Sequence, residues 1–182
     1  MTITRTPLKD CLVLVPNRFY DERGYFSETY NKALFDQYIG KQIDFVQDNE
    51  SCSKKGVLRG LHFQIKKHAQ AKLIRVTKGA VLDVCVDLRP DSPSYLNHFS
   101  TIISYENKKQ LFVPRGFAHG FVVLEDDTVF NYKCDNYYNK SAERGIIYKD
   151  PTLAIDWQLS GHELIVSEKD KDLPTLETYL NS

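Results

Sequence analysis

Long apolar runs are missing from this sequence. Its longest hydrophobic stretch is a few residues, far short of the ~20 that span a bilayer. The opening MTITRTPLKD also lacks the apolar core of a secretory leader. Both points predict a protein with no membrane segment. An excess of one charge is missing too, because 24 Lys and Arg balance 24 Asp and Glu. That argues against a nucleic-acid partner, which needs a basic footprint, and no block of like charge reads as an interaction tail. None of the four cysteines, Cys11, Cys52, Cys85 and Cys134, forms a CxxC pair. They read as buried free thiols in a reducing cytoplasm rather than a disulfide framework. There is no internal repeat, no low-complexity tract and no linker composition, so residues 1–182 read as one domain. A chain of that length buries roughly 70% of its unfolded surface and needs neither disulfide nor metal for stability.

What is present is mostly strand pattern. CLVLVP (11–16), DFVQDN (44–49), KLIRV (72–76), AVLDVCVDL (80–88), FSTIIS (99–104), QLFVP (110–114), GFVVL (120–124) and TVFNYKC (128–134) are short apolar or alternating runs. Turn residues such as Lys78-Gly79 and Pro114-Arg115-Gly116 separate them. Spacing of this kind predicts an all-β sandwich or barrel. One segment differs. NKALFDQYIG (31–40) places Leu34, Phe35, Tyr38 and Ile39 at helical spacing, with Gly40 as the stop. From Ser160 onward the chain is polar, with only a weak helical pattern.

In AVLDVCVDL, Leu82, Val84, Val86 and Leu88 form one face, and Val81, Asp83, Cys85 and Asp87 the other. The two carboxylates are either solvated or line a polar cavity inside a closed sheet.

Of the five histidines, His68, His98 and His162 sit in polar or turn contexts and read as surface residues. His62 in GVLRGLHFQ and His119 in PRGFAHGF lie in glycine-punctuated apolar strands. A two-histidine-one-carboxylate metal site is conceivable. However, no HxH or HxxxH pair accompanies either residue, so no metal is expected. Acid–base chemistry remains. An imidazole is the natural base near neutral pH, Lys72 can hold a developing oxyanion, and Tyr132 carries a phenol with an ordinary pKa near 10. Each also has a plain structural explanation, as a satisfied core histidine, a snorkelling lysine or a core ring, and residue types alone do not choose.

Six stretches carry a family resemblance: DERGYFSE (21–28), FVQDNESCSKKGVLRGLHFQ (45–64), KLIRVTKGAVLDVCVDLR (72–89), ENKKQLFVPRGFAHGF (106–121), YKCDNYY (132–138) and DPTLAIDW (150–157). Together they resemble the dTDP-4-dehydrorhamnose 3,5-epimerases, which are cupin-type sugar-nucleotide epimerases. The resemblance implies an antiparallel jelly-roll of two strand layers with a few short peripheral helices. It implies a homodimer and a reaction without metal or other cofactor. The substrate would be dTDP-4-keto-6-deoxyglucose, inverted at C3 and C5; a relative that inverts only one of these carbons, in another 4-keto sugar nucleotide, is the alternative.

By position, His62 resembles the family's proton acceptor, Tyr132 its proton donor and Lys72 the residue that steadies the enolate. Asp170 resembles the carboxylate that orients the histidine, although Asp172 lies two residues away. His119 looks like a second pocket histidine. Sugar and diphosphate contacts would fall to Arg23, Gln47, Asn49, Arg59 and Lys169. Glu28 and Glu143 would lie at the nucleotide end, and Phe26 and Tyr137 would stack on thymine, with Tyr138 able to replace Tyr137. One conflict remains. Strict alternation puts Arg59 and His62 on opposite strand faces, unless Gly60 marks a bulge or Arg59 reaches the substrate from the strand's end.

Overall fold

A computed structural model of the chain describes residues 1–159 and 163–182. His162, expected at the surface, lies outside the described residues.

Two antiparallel sheets face each other. The first has the order β1 (Thr2–Arg5), β2 (Leu12–Val15), β10 (Gln110–Val113), β7 (Lys72–Lys78), β12 (Thr128–Cys134) and β5 (Gln47–Ser53). The second runs β13 (Glu143–Gly145), β6 (Val57–Gln64), β11 (Phe117–Val123), β8 (Ala80–Asp87) and β9 (His98–Ser104). A short strand, β14 (Ile165–Val166), pairs with β6 in parallel. A separate hairpin joins β3 (Phe19–Asp21) to β4 (Gly24–Phe26). Of the sandwich or barrel that the strand spacing predicts, this is the sandwich, with the antiparallel layers that the resemblance implies.

The pleat sorts side chains into three apolar layers. Ile74, Val76 and Phe130 of the first sheet meet Val81, Cys85 and Phe117 of the second, forming the core between the sheets. Leu82, Val84 and Val86 point the other way and pack under Trp157 and Leu176 of the C-terminal segment. On the outer face of the first sheet, Leu14, Leu73 and Phe112 are covered by Phe35. Burying each large apolar side chain contributes roughly 1.5–3 kcal/mol.

Phe35 belongs to α1 (Lys32–Ile39), which forms where its sequence pattern predicts. The Asn31 side chain accepts from the Leu34 N–H at 3.2 Å, and Gly40 closes the helix at φ +76°. The polar tail holds two short helices, α2 (Glu168–Lys171) and α3 (Leu176–Leu180). Each starts at a hydroxyl N-cap, Ser167 and Thr175. No helix among the described residues is long and apolar enough to cross a membrane.

The structure settles the two readings of β8. Asp83 and Asp87 are both fully buried, so the solvated reading fails. Asp87 accepts from Arg89, Ser92 and Ser94, and Asp83 points between the sheets at His119. Among the cysteines, Cys11, Cys85 and Cys134 are buried and free, whereas Cys52, expected buried, is exposed on β5. His98 is exposed as expected. His68 is half-buried rather than on the surface, with its ring 3.4 Å from the Asn139 amide nitrogen.

Candidate active site

The site begins with a break in the β6 ladder. On β11, His119 pairs with His62 and Phe121 with Arg59. One residue, Gly120, therefore spans the same distance as two, Gly60 and Leu61, which makes a bulge. Beyond it the alternation of β6 is inverted, so Leu58, Leu61 and Phe63 all join the outer apolar layer. Arg59 and His62 end on one face, and both line the same cavity. Glycine is required here for two reasons. Gly60 has φ +129°, and a Cβ on it would stand 2.5 Å from the Gly120 Cα.

One carboxylate ties the bulge to the histidine. Asp170 Oδ1 accepts from His62 Nε2 at 2.8 Å, and its Oδ2 accepts from the Gly60 N–H at 3.1 Å. Ser167 caps α2 by accepting from the Asp170 N–H, which fixes that carboxylate in turn. Burial pushes the Asp170 pKa up, but the bonds from His62, Gly60 and Ser167 outweigh it and hold the group below its ordinary value. Asp170 is buried and Asp172 exposed, which resolves that pair in favour of Asp170.

The facing sheet supplies Lys72 from β7 and Tyr132 from β12. Burial lowers the Lys72 pKa, partly countered by Cys134, Asp83 and Glu143. Burial raises the Tyr132 pKa, as does Cys134, while Arg59 pulls it down. The phenol therefore stays protonated through neutral pH, and the Lys72 ammonium lies 5.6 Å from the centre of its ring. His119, on β11, gives its Nε2 to Asp83 at 3.0 Å, and its Nδ1 lies 3.5 Å from Lys72 Nζ.

Two cavities meet at these groups. One, of about 580 Å³, includes Arg59, His119, Phe121, Phe130, Lys169 and Asp170 in its walls. The other, of about 350 Å³, is lined by Gln47, Asn49, Gln64, Cys134, Tyr138 and Glu143. His62, Lys72 and Tyr132 line both. Gln47 donates to Asn49 Oδ1 at 2.9 Å and accepts from the Tyr138 N–H at 3.1 Å. Glu143 accepts from Lys169 at 2.6 Å and from the Tyr138 hydroxyl at 3.1 Å. Burial pushes the Glu143 carboxyl up, but Lys169 and Tyr138 bring it below its ordinary value.

The remaining expected residues lie elsewhere. Arg23, Phe26 and Glu28 are on or just after the β3–β4 hairpin, exposed and outside both cavities. Tyr137 is 66% exposed and lines neither, whereas Tyr138 does. Sequence reasoning missed Cys134 and the Phe121–Phe130 stack, with ring centres 3.9 Å apart. Their inward phase on β11 and β12 was the available signal. It also saw the Asp83 carboxylate without its partner, because β8 and β11 pairing is not local.

An imidazole on one sheet, held by a carboxylate from α2, faces an ammonium and a phenol on the other sheet, and this equips the sandwich for proton transfer. That defines the class, a cupin-like acid–base enzyme. Comparison narrows it. A family model described as dTDP-4-dehydrorhamnose 3,5-epimerase matches residues 5–178. The dTDP-4-dehydrorhamnose 3,5-epimerase of Escherichia coli (strain K12) is 49% identical over 181 residues, which is 99% of this chain and 97% of that one. A crystal structure of the dTDP-4-dehydrorhamnose 3,5-epimerase from Elizabethkingia anophelis NUHP1 superposes with TM-score 0.96 at 50% identity, covering 98% of this chain and 97% of that one. The dTDP-6-deoxy-D-glucose-3,5-epimerase of Legionella pneumophila Philadelphia 1, solved in complex with dTDP-4-keto-L-rhamnose, gives TM-score 0.92 at 43% identity, covering 97% of this chain and 93% of that one. This chain belongs to the dTDP-4-dehydrorhamnose 3,5-epimerase family.

Proposed function

We propose that this chain inverts C3 and C5 of dTDP-4-dehydro-6-deoxy-D-glucose, giving dTDP-4-dehydro-L-rhamnose, and works as a cytoplasmic homodimer of single-domain subunits. One observation carries the reading: His62 and Tyr132 line the same cavity from opposing sheets. Inversion requires that geometry. A proton returned to the face it left changes nothing.

The steps follow from the side chains. His62 gives its Nε2–H to Asp170, which leaves Nδ1 as the lone pair that takes the hydrogen next to the ketone. The C–H pair becomes the enolate, and its charge collects on the carbonyl oxygen, where Lys72 holds it. Donors of this kind contribute about 3–4 kcal/mol each. Tyr132 then delivers a proton to the opposite face, and solvent restores both groups. The second carbon repeats the cycle. The imidazolium formed midway is stabilised by Asp170. Protons are the only currency, so the reaction consumes no cofactor.

The larger cavity, with its aromatic wall, takes the sugar. The smaller, more polar one receives the nucleotide, with Gln47, Asn49 and Glu143 of its wall as hydrogen-bonding groups and Tyr138 as the stacking ring. Arg59 and Lys169, both in the wall of the larger cavity, suit the diphosphate. Phe19, Tyr20 and Phe26 of the β3–β4 hairpin are 62%, 66% and 69% exposed. An aromatic hairpin so uncovered fits a subunit contact. We assign Arg23, Phe26 and Glu28 to the nucleotide end of the partner subunit's site, which explains why they lie outside their own.

The test is incubation with dTDP-4-keto-6-deoxyglucose in D₂O, followed by NMR. Deuterium at C3 and C5 of the product is expected. Label at one carbon would overturn the double inversion, and none would overturn the reaction. Light scattering should report twice the 21.0 kDa chain mass.

A further inference from the structure

We infer that Asp83 is a positioning residue for this reaction: it locks His119 in one tautomer, so that the ring aims the Lys72 ammonium at the substrate carbonyl. The inference rests on the reaction proposed above but adds a residue to which that mechanism gives no part.

The geometry runs in one direction. Asp83 is fully buried on β8, and both of its oxygens lie within reach of His119 Nε2, at 3.1 and 3.0 Å. A carboxylate only accepts, so Nε2 carries the hydrogen. The ring lies nearly parallel to Phe130, at 20° between planes, and a flip would put a carbon where Nε2 meets Asp83 and so forfeit that bond. A neutral imidazole has a single N–H, so Nδ1 is a bare lone pair. It stands 3.5 Å from Lys72 Nζ.

The alternative states are worse. A proton on Nδ1 would set N–H against the ammonium. Burial, followed by the Lys72 and His62 charges, pushes the His119 pKa down against the pull of Asp83. His119 therefore acts as a neutral acceptor. An ammonium has three donors; one rests on His119 and the others are free for a developing oxyanion. Without that anchor, the four-carbon stem samples many rotamers and the charge is seldom where the enolate forms. The arrangement parallels the other histidine. His62 and His119 are register partners on adjacent strands, and each has its own carboxylate on a different element: Asp170 on α2 serves the base, Asp83 on β8 the ammonium.

A double-mutant cycle tests this. Asp83→Asn keeps the shape but can present its NH₂ to Nε2, which drives the ring proton onto Nδ1. We expect kcat on dTDP-4-keto-6-deoxyglucose to fall about 10- to 100-fold, the scale seen when the carboxylate behind a metal-bound imidazole is lost and less than the ~10⁴ for one behind a histidine that itself moves the proton. The affinity for dTDP and the melting temperature should hold. In a Lys72→Ala background the same change should cost less than about threefold, because residues that act as a unit are not additive. A full multiplicative loss in that background overturns the inference. If Asp83→Asn does not fold, His119→Gln and His119→Leu carry the test. The glutamine oxygen can accept from Lys72 and should keep more of kcat than leucine; equal losses overturn it. Failure of the unaltered enzyme to turn over the substrate would instead refute the reaction, and the positioning role with it.

Discussion

At the scale of single residues, the site separates two tasks by environment. His62, partly open to the cavity, has its second nitrogen tied to a carboxylate. Tyr132 lies where burial favours its protonated form. In the proposed reaction, one receives a hydrogen and the other gives one. This division predicts the behaviour of Tyr132→Phe. With the base intact and the donor gone, His62 still removes the hydrogen and returns solvent deuterium to the same face. NMR should show exchange into the substrate with inversion lost. Inversion at the wild-type rate would remove the phenol from the mechanism. These two residues and Lys72 are legible in the chain through the family motifs they sit in, since pattern alone left each a plain structural explanation and strict alternation set His62 opposite Arg59. Asp170 is not legible from pattern alone. It lies in a polar tail whose short helix is set by a Ser167 cap and by docking on the β6 bulge. Contacts between residues 60 and 170 leave no periodic trace.

At the scale of elements, β6 does what no regular strand can do. A regular strand would separate Arg59 from His62 by half a pleat. The extra residue returns them to one side, and the glycines at 60 and 120 let the two backbones pass closely enough for the bulge to form. Gly60→Ala is therefore expected to destabilise the fold by roughly 1–3 kcal/mol through its positive φ and its clash with Gly120. Activity should fall further than the remaining folded fraction accounts for. Chemical denaturation read alongside kcat checks this, and an unchanged melting midpoint would contradict it. The conflict between Arg59 and His62 was visible in the sequence as a question, since a glycine marks where a bulge fits. Only the pairing with β11 decides it. The helix at 32–39 was legible throughout, because cap, apolar spacing and stop are all local. The short strands β1, β3, β4, β13 and β14 carry too few residues for alternation to distinguish them from loop.

At the scale of the whole molecule, the two sheets are joined by the apolar layer between them, which also forms part of the larger cavity's wall. Strand β8 carries an acid-sensitive group at its end. Asp87 has its pKa lowered to about 2: burial works against the charge, and bonds from Arg89, Ser92 and Ser94 outweigh it. A carboxylate depressed in the folded state stabilises above its unfolded pKa, near 3.8, and loses that contribution as pH falls toward about 2. The loss is about 2 kcal/mol. Thermal melts between pH 5 and pH 2 should show the drop, and Asp87→Asn should make that part of the curve shallower. The layered architecture was legible from strand count and turn spacing. The burial of both β8 carboxylates was not, because alternation names a face without saying whether water reaches it.

The bulge also sets a rule for chain length. Between Arg59 and His62 there are two residues, one of them surplus to the ladder. Losing one, or gaining one, would swing every later side chain of the strand through half a turn. The imidazole would then face the greasy underside beneath Trp157, and Phe63 would take its place. A gap of two therefore serves as a reading frame, and a homologue whose frame is shifted by one has surrendered its base whatever its overall similarity.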